Sequence, residues 1–405
     1  MMPLSGLIAR SLLKVKGNKV LLRYLRRCGS LGFLLAVILH SQSASGQLST
    51  EDHLAEPGFW PTQDSPSRDN FAGADTCARC HRAKAAAQTK TFMACVAMSA
   101  SLSDILNAHP LMVFGPSKYK YRIDSRTSQS RYSVSDGNQS LSFPLLWAFG
   151  TGRVGQSYLF KKQNADFFEA RVTYFETLGT IDFTPSRALL SPSSIEEAMD
   201  RPVPQAEVMR CFGCHTTGSS IGGRFDETHL VPGVTCEACH GPGAGHVQSM
   251  TAETAATSGD TKSAIFNSAR LDPADAVDFC GACHGTWWDV KLAGVKGVSS
   301  ARSAPYRLVT SKCWRKGDAR LTCTACHDPH EQLQTDAAAY DRACLKCHAN
   351  TPGTIKTASH EGPACPVATQ RCTSCHMVKV YVPEMHSNFT DHRIRIAKAG
   401  EAFPD

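Results

Sequence analysis

The sequence of 405 residues predicts a mainly α and irregular fold that is interrupted by an antiparallel β-meander insertion. The first observation is a Cys-x-x-Cys-His pentapeptide that occurs seven times and uses fourteen of the eighteen cysteines. The second is the stretch from Tyr119 to Phe175, where β-branched and aromatic residues alternate with polar ones between turn signals. The third is the stretch from Glu207 to His392, where short possible helices lie among Gly/Pro turns and no apolar period is long enough for a conventional core.

The N-terminal segment is basic and then apolar. Residues 1–46 contain seven of the 43 Lys and Arg residues and no Asp or Glu, so the rest of the chain has as many basic as acidic residues. The formal charge of +7 therefore does not indicate nucleic-acid binding. The apolar run Leu31–Leu39 is far shorter than the roughly 20 residues that span a bilayer. Small residues before Gln47 suit cleavage, so residues 1–46 are predicted to be a signal peptide, with an uncleaved anchor as the alternative.

Composition divides the remaining chain into segments. Residues 47–74 are polar and rich in Pro and Gly, which predicts a flexible linker. Residues 75–110 carry the first pentapeptide in a composition that favours helix. Residues 111–186 form the predicted β-meander of about five strands, which contains no cysteine. Residues 187–393 carry the other six pentapeptides, and residues 394–405 are predicted to be a C-terminal tail.

The pentapeptide has the spacing of covalent c-type haem attachment. At positions i, i+3 and i+4 of a helical turn, two thiols and one imidazole share a face, so the thiols can bond to the porphyrin while the histidine binds iron. A zinc ribbon gives no reason for a histidine after every second cysteine, and a disulfide scaffold needs no histidine. We number the motifs 1 to 7 in chain order: Cys77/Cys80/His81, Cys211/Cys214/His215, Cys236/Cys239/His240, Cys280/Cys283/His284, Cys323/Cys326/His327, Cys344/Cys347/His348 and Cys372/Cys375/His376.

Seven covalently attached haem c groups would fill much of a chain of this length. The haems themselves are therefore expected to form the core of the fold and to lie close together. Motifs 2 and 3 are separated by only twenty residues and are expected to be adjacent in space.

Each haem iron has a second axial position, and eight histidines outside the motifs and residues 1–46 could fill it. His246 and His330 follow motifs 3 and 5 on Pro-containing turns and are the strongest candidates. His246 is expected to serve a haem other than that of motif 3. The remaining histidines are, in order of decreasing support, His392, His386 and His109, His360 and His229, and His53.

The roles of one methionine and three cysteines stay open at this point. Met93 follows motif 1 in a predicted helix and is either an axial ligand or a core residue. The cysteines outside the motifs and the signal peptide are Cys95, Cys313 and Cys365. One alternative is a disulfide between Cys313 and Cys365, which the sequence alone does not establish.

Four stretches carry a family resemblance: Gly233 to His246, Cys326-His-Asp-Pro-His330, Cys375-His-Met377 and Phe389-Thr-Asp-His392. They resemble the secreted bacterial multihaem cytochromes of the nitrite reductase and hydroxylamine oxidoreductase superfamily, in particular the cytochrome c-552/4 or doubled Cys-x-x-Cys-His type. The resemblance implies a multihaem cytochrome c fold. It also implies electron transfer, with some members converting small nitrogen or sulfur compounds at a five-coordinate haem. The Cys-x-x-Cys-Lys of pentahaem nitrite reductases does not occur in this sequence.

These features favour a heptahaem c-type cytochrome that transfers electrons through closely spaced, mostly six-coordinate haems. The alternatives are an oxidoreductase of a small nitrogen or sulfur compound at one five-coordinate haem, and a redox sensor or structural subunit. No catalytic residue is assigned. The expected location is periplasmic or otherwise exported, without a membrane span after signal cleavage. The expected partners are redox proteins, such as other cytochromes or a quinol-linked complex, and not nucleic acid.

Overall fold

The computed structural model describes residues 64–115, 118–163, 166–251, 265–315, 321–348, 365 and 367–405. The predicted signal peptide, His53 and His360 lie outside these ranges. All the described residues fall in one unit of the chain, Leu48–Asp405. None of the helices in these ranges has the length and apolar character that a bilayer crossing requires.

The largest element is an antiparallel sheet of eight strands. In chain order its strands are Ala97–Ser99, Leu111–Phe114, Lys120–Asp124, Arg131–Ser135, Ser140–Phe149, Ser157–Lys161, Phe167–Ala170 and Asp200–Pro202. The strands from Leu111 to Ala170 pair sequentially as a meander, as predicted, whereas the first and last of the eight lie outside the predicted segment 111–186. We call residues 97–202 the β domain.

The β domain has a conventional apolar core. In the strands Lys120–Asp124 and Arg131–Ser135 every second side chain is buried, which is the alternation expected of a sheet with one covered face. Tyr121, Tyr132 and Phe160 are among the fully buried side chains. The hairpin of Val172–Phe175 and Thr180–Phe183 contributes further side chains to the same cluster.

Short helices and three small sheets make up the other regular elements of the described chain. Its α-helices, including two in the β domain, are Ala74–Cys80, Arg82–Gln88, Asp104–Ala108, Ile195–Met199, Gln205–His215, Cys236–His240, Ala244–Thr251, Pro273–His284, Trp287–Leu292, Ala304–Val309, Lys312–Arg315, Asp341–His348 and Thr373–His376. Two small antiparallel pairs are Thr216–Thr217 with Val231–Pro232, and Lys379–Val382 with Ser387–Thr390. A third small sheet joins Asp64–Ser65, Ser220–Ile221 and Arg224–Phe225.

We call residues 205–393 the motif region because six of the seven motifs lie there. Among its described residues after Cys236, the buried apolar side chains are few: Val277, Ala282, Val290, Ala301, Tyr306, Leu308 and Val382. The described chain thus combines helices with an antiparallel meander, as predicted, and adds three small sheets that the sequence did not predict. That haems form the core of the motif region stays a prediction.

Both segments that flank the motifs in the predicted division contact the rest of the chain. Within the predicted linker, Asp64–Ser65 pairs in parallel with Ser220–Ile221. In the predicted tail, the Phe403 ring lies 4.4 Å from the guanidinium carbon of Arg307.

Candidate haem centres

Each motif lies on a short helix, with its histidine at or shortly after the last helical residue. The helices are Ala74–Cys80, Gln205–His215, Cys236–His240, Pro273–His284, the 3-10 turn Cys323–Ala325, Asp341–His348 and Thr373–His376. In motifs 1, 5 and 7 the histidine amide donates to the carbonyl oxygen of the first cysteine at 2.9–3.0 Å. One helical turn therefore places two thiols and one imidazole on a common face, as covalent attachment requires.

Three motif histidines each lie opposite a histidine from outside the motifs. The ring centroids of His81 and His246 are 6.4 Å apart, with 24° between the ring planes. The centroids of His240 and His330 are 6.1 Å apart, with an interplanar angle of 11°. His392 lies 6.3 Å from His327, at 42°. The structure thus brings His246, His330 and His392 to motifs 1, 3 and 5 respectively.

These separations fit two imidazoles bound to one iron. A metal–imidazole bond is about 2 Å long, and bonds of about 1.33 Å give an imidazole ring a radius of about 1.1 Å. Two collinear bonds plus two ring radii place the centroids about 6 Å apart. Rings in direct aromatic contact can be as close as about 4.5 Å. The donor set and its spacing therefore fit haem iron with an imidazole on each side.

Hydrogen bonds to Nδ1 orient several of these rings. The Nδ1–H of His240 donates to the Phe266 carbonyl oxygen at 2.9 Å, and that of His392 donates to the Thr390 carbonyl oxygen at 3.0 Å. His330 donates likewise to the Asp328 carboxylate at 3.0 Å. Because a carbonyl oxygen can only accept, Nδ1 of the first two rings carries the proton. This leaves Nε2 as the metal-binding nitrogen, the arrangement usual for histidine ligands.

The motif histidines outside these three pairs include two with the same orientation. His215 Nδ1 lies 3.2 Å from the carbonyl oxygen of Val96, the residue directly before the first strand of the β domain. His376 Nδ1 lies 3.1 Å from the Arg395 carbonyl oxygen. Motifs 2 and 7 therefore also present Nε2 as the free nitrogen.

Partial burial affects the protonation of these rings. Desolvation lowers the pKa of His215, His327 and His392. The neutral imidazole, which is the form that binds a metal, is thereby favoured.

Cysteines of different motifs meet in pairs. Cys77 of motif 1 interacts with Cys236 of motif 3, and Cys344 of motif 6 interacts with Cys372 of motif 7. In motif 4, Cys283 interacts with Cys214 of motif 2, while Cys280 interacts with Cys323 of motif 5. The motifs therefore pack in contact with one another.

Not every predicted attachment cysteine belongs to such a pair. In motif 6 the contact with motif 7 is made by Cys344, whereas Cys347 lies half-buried near the end of the helix Asp341–His348. Cys80 of motif 1 and Cys375 of motif 7 are exposed. Haem attachment at all fourteen motif cysteines stays a prediction that rests on the motif spacing.

Motifs 2 and 3 are joined by a hairpin. Thr216–Thr217 follows His215 directly and pairs with Val231–Pro232. The Thr235 amide, next to Cys236, donates to the Thr217 hydroxyl at 2.8 Å. The two motifs that are close in sequence are therefore also close in space.

The other candidate ligands contact groups outside the motifs. His109 Nε2 lies 3.1 Å from the Tyr174 hydroxyl, and His386 Nε2 lies 3.0 Å from the Asp182 carboxylate, both in the β domain. His229 pairs with Asp226 on an exposed loop. Met93 lies on the 3-10 helix Phe92–Cys95, and its backbone carbonyl accepts the Val234 amide at 2.9 Å.

Two positioning residues lie between the cysteines of motifs and have no role in the sequence-based prediction. Phe212 of motif 2 is fully buried among Trp147, Phe149, Phe167 and Phe225, with ring centroids 4.7–5.5 Å away. It could have been noticed because it is the only aromatic residue between the two cysteines of any motif.

Glu237 of motif 3 is buried and accepts three backbone amides. Its carboxylate binds Ala72 N at 2.7 Å and Gly73 N at 2.9 Å, just before the motif 1 helix. It also binds Gly243 N at 2.8 Å, three residues before His246. Glu237 therefore fixes the positions of both members of the His81–His246 pair. No local sequence pattern reveals these contacts.

Comparisons with known proteins found a matching family model, a related sequence and a similar solved structure. Residues 186–241, which include motifs 2 and 3, match the family model described as cytochrome c554 and c-prime. The multiheme cytochrome MtrA of Shewanella baltica (strain OS185) is 24% identical over 213 residues, an alignment that covers 41% of this chain and 61% of that protein. The crystal structure of the outer cell wall cytochrome OcwA superposes with a TM-score of 0.43 and 14% identity over 80% of each chain. The sequence matches relate this chain to the multihaem c-type cytochromes, in which haem c is covalently bound.

Proposed function

We propose that the protein is a heptahaem c-type cytochrome that transfers electrons outside the cytoplasm through closely spaced, mostly six-coordinate haems. The observation that carries the proposal is the set of three imidazole pairs with centroids 6.1–6.4 Å apart. Each pair joins a motif histidine to a histidine from another part of the chain. Two strong axial ligands leave no open position on an iron, which suits electron transfer rather than substrate binding.

Cysteines and histidines of the chain have different roles at each proposed haem centre. Haem c supplies an iron that accepts and releases one electron when it is bound. The fourteen motif cysteines attach the seven groups, and the motif histidines bind from one side. His246, His330 and His392 bind from the other side at motifs 1, 3 and 5. His386, His109 and Met93 remain proposed ligands for the other motifs. To bind iron, His109 would have to leave Tyr174 and His386 would have to leave Asp182.

Contacts between motifs support an order for electron transfer. Motif 1 meets motif 3, motif 4 meets motifs 2 and 5, and motif 6 meets motif 7 through their cysteines. Cys239 lies near Cys283 and Cys326 lies near Cys344, so motif 3 neighbours motif 4 and motif 5 neighbours motif 6. We infer the order 1–3–4–5–6–7, with motif 2 beside motifs 3 and 4. Electrons would then enter and leave near motifs 1, 2 or 7.

The remaining parts of the proposal concern export, the place of haem attachment and the redox partners. Residues 1–46 act as a signal peptide, and attachment of haem takes place after export. The partners are redox proteins that exchange single electrons with the exposed motifs, such as other cytochromes or a quinol-linked complex.

A haem count and spin-state measurement test the proposal. The pyridine haemochrome assay should give seven haems per chain, and electron paramagnetic resonance of the oxidised protein should show mainly low-spin ferric haem. Each of the variants His246→Ala, His330→Ala and His392→Ala should convert about one of the seven haems to high spin. His229→Ala is the matched control, since its side chain is 62% exposed, and should leave the spectrum unchanged.

Three results would contradict parts of this account. A count far below seven would remove the heptahaem assignment. Unchanged low-spin spectra in all three ligand variants would remove the coordination assignment. A high-spin signal in the wild-type protein, with reoxidation that depends on nitrite, hydroxylamine or tetrathionate, would favour the oxidoreductase instead.

A further inference from the structure

A completely buried ion pair lies next to two of the candidate haem centres. The Arg307 guanidinium and the Asp391 carboxylate are 0% and 1% exposed. Arg307 Nε donates to Asp391 Oδ1 at 2.8 Å, and Nη2 donates to Oδ2 at 3.1 Å. Two parallel hydrogen bonds of this kind fix direction as well as distance.

Asp391 begins a segment that serves two motifs. His392, the next residue, lies opposite His327 of motif 5. The carbonyl oxygen of Arg395 accepts Nδ1 of His376 in motif 7 at 3.1 Å, and the Arg395 amide donates to the His376 carbonyl oxygen at 3.1 Å. Asp391 also accepts the Arg393 amide at 3.0 Å, which fixes the turn between these contacts.

Arg307 anchors this segment to the motif region and to the chain end. It lies on the helix Ala304–Val309, which ends two residues before Ser311. The Ser311 hydroxyl donates to the His392 carbonyl oxygen at 3.3 Å and accepts the Ile394 amide at 2.8 Å. Arg307 Nη1 also donates to the Pro404 carbonyl oxygen at 2.7 Å, while Phe403 covers the guanidinium.

Stability alone is a poor reason for such a pair. Removing two charges from water is costly, and well-packed apolar residues often stabilise a fold as much as a buried ion pair does. A buried pair does, however, specify one arrangement of the groups attached to it, because breaking it leaves an uncompensated charge.

We propose that Arg307 and Asp391 are positioning residues that hold His392 opposite His327 and set the orientation of His376. The inference deepens the proposed function and rests on its assignment of His392 as an axial ligand. Its two consequences are a low-spin haem at motif 5 and a fixed midpoint potential at motifs 5 and 7.

The test compares variants of the pair in the full, haem-loaded protein. Arg307→Gln and Asp391→Asn should each produce a high-spin ferric signal from about one of the seven haems, and both should shift midpoint potentials in the same direction. Arg307→Lys keeps the charge but loses the two-point contact, so its high-spin fraction should be smaller. Ser311→Ala removes only the hydroxyl contacts and provides a milder variant if the others fold poorly.

Asp200→Asn provides the control. The Asp200 side chain is 5% exposed and pairs with Lys162 at 2.7 Å in the β domain. This variant should leave the spin state and the potentials unchanged. His392→Ala, measured in the same series, gives the signal expected for complete loss of the ligand.

Two patterns would overturn the inference alone. A purely electrostatic role predicts low-spin spectra with opposite shifts, a lower potential in Arg307→Gln and a higher one in Asp391→Asn. A purely structural role predicts wild-type spectra and potentials in every variant of the pair. In both patterns His392→Ala still produces high-spin haem, so the proposed function stands. If His392→Ala itself stays low-spin, the ligand assignment is wrong and the inference falls with it.

Discussion

The β domain and the motif region are stabilised in different ways. In the β domain, aromatic and aliphatic side chains from consecutive strands form one large buried cluster. In the described motif region, buried apolar residues are few, and carboxylates that accept backbone amides connect the short helices. The main examples are Glu237 and Asp341. Asp391 connects its segment to the helix Ala304–Val309 in another way, by accepting the Arg307 guanidinium.

This difference follows from what each sequence can bury. A meander of alternating strands covers its own apolar face, and apolar burial contributes about 25 cal/mol for each Å². The short motif helices have little apolar surface to cover, so their relative positions depend on directional hydrogen bonds. A region held in this way is the kind that covalently attached haems would complete, and the two regions should therefore respond differently to substitution.

The largest effect is expected at the contact between the two regions. Phe212 belongs to motif 2 but is fully buried in an apolar cluster with side chains of the β domain. Phe212→Ala should lower the free energy of unfolding by about 3–5 kcal/mol, because it removes a large buried ring and leaves a cavity. Denaturant unfolding followed by circular dichroism measures the loss.

Leu189→Ala is the control for this substitution, since Leu189 is 91% exposed and should change stability very little. Equal effects of the two substitutions would show that the motif 2 helix does not depend on the β domain for its stability.

A smaller but more specific effect is expected at Glu237. Glu237→Gln replaces one carboxylate oxygen by an NH2 group, which cannot accept a hydrogen bond. At least one of the contacts with the backbone amides of Ala72, Gly73 and Gly243 is therefore lost. The expected loss is about 1–3 kcal/mol of unfolding free energy. It should be accompanied by a changed low-spin signal from the proposed haem centre between His81 and His246, measured by electron paramagnetic resonance.

Glu331→Gln, at an exposed position between motifs 5 and 6, should change neither the free energy of unfolding nor the low-spin signal. A Glu237→Gln protein that is destabilised but spectroscopically unchanged would show that Glu237 stabilises the chain without positioning the histidines.

The sequence predicted local features better than long-range ones. The motifs lie on short helices, and consecutive strands pair as a meander, because both depend on residues close together in the chain. The strands Ala97–Ser99 and Asp200–Pro202 were missed because three residues are too few to show alternation. The sequence does not predict the partner of His246, for a different reason. That pairing depends on how Glu237 connects segments far apart in sequence, which no local pattern records.

The smallest effect is expected at Asp341, which connects motifs 6 and 7. Its carboxylate accepts the Cys372 amide at 2.8 Å and the Arg371 amide at 2.6 Å, and these bonds lower the pKa of Asp341. An aspartate in an unfolded chain has a pKa of about 3.9. Because the folded value is lower, the ionised carboxylate stabilises the fold above about pH 4, and this contribution is lost as the pH falls through the folded value. Asp341→Asn should therefore lower the melting temperature slightly and equally from about pH 5 to pH 8, with the difference from wild type shrinking in more acidic solution. A difference that stays constant into strong acid would mean that the charge of Asp341 does not stabilise the contact between these motifs.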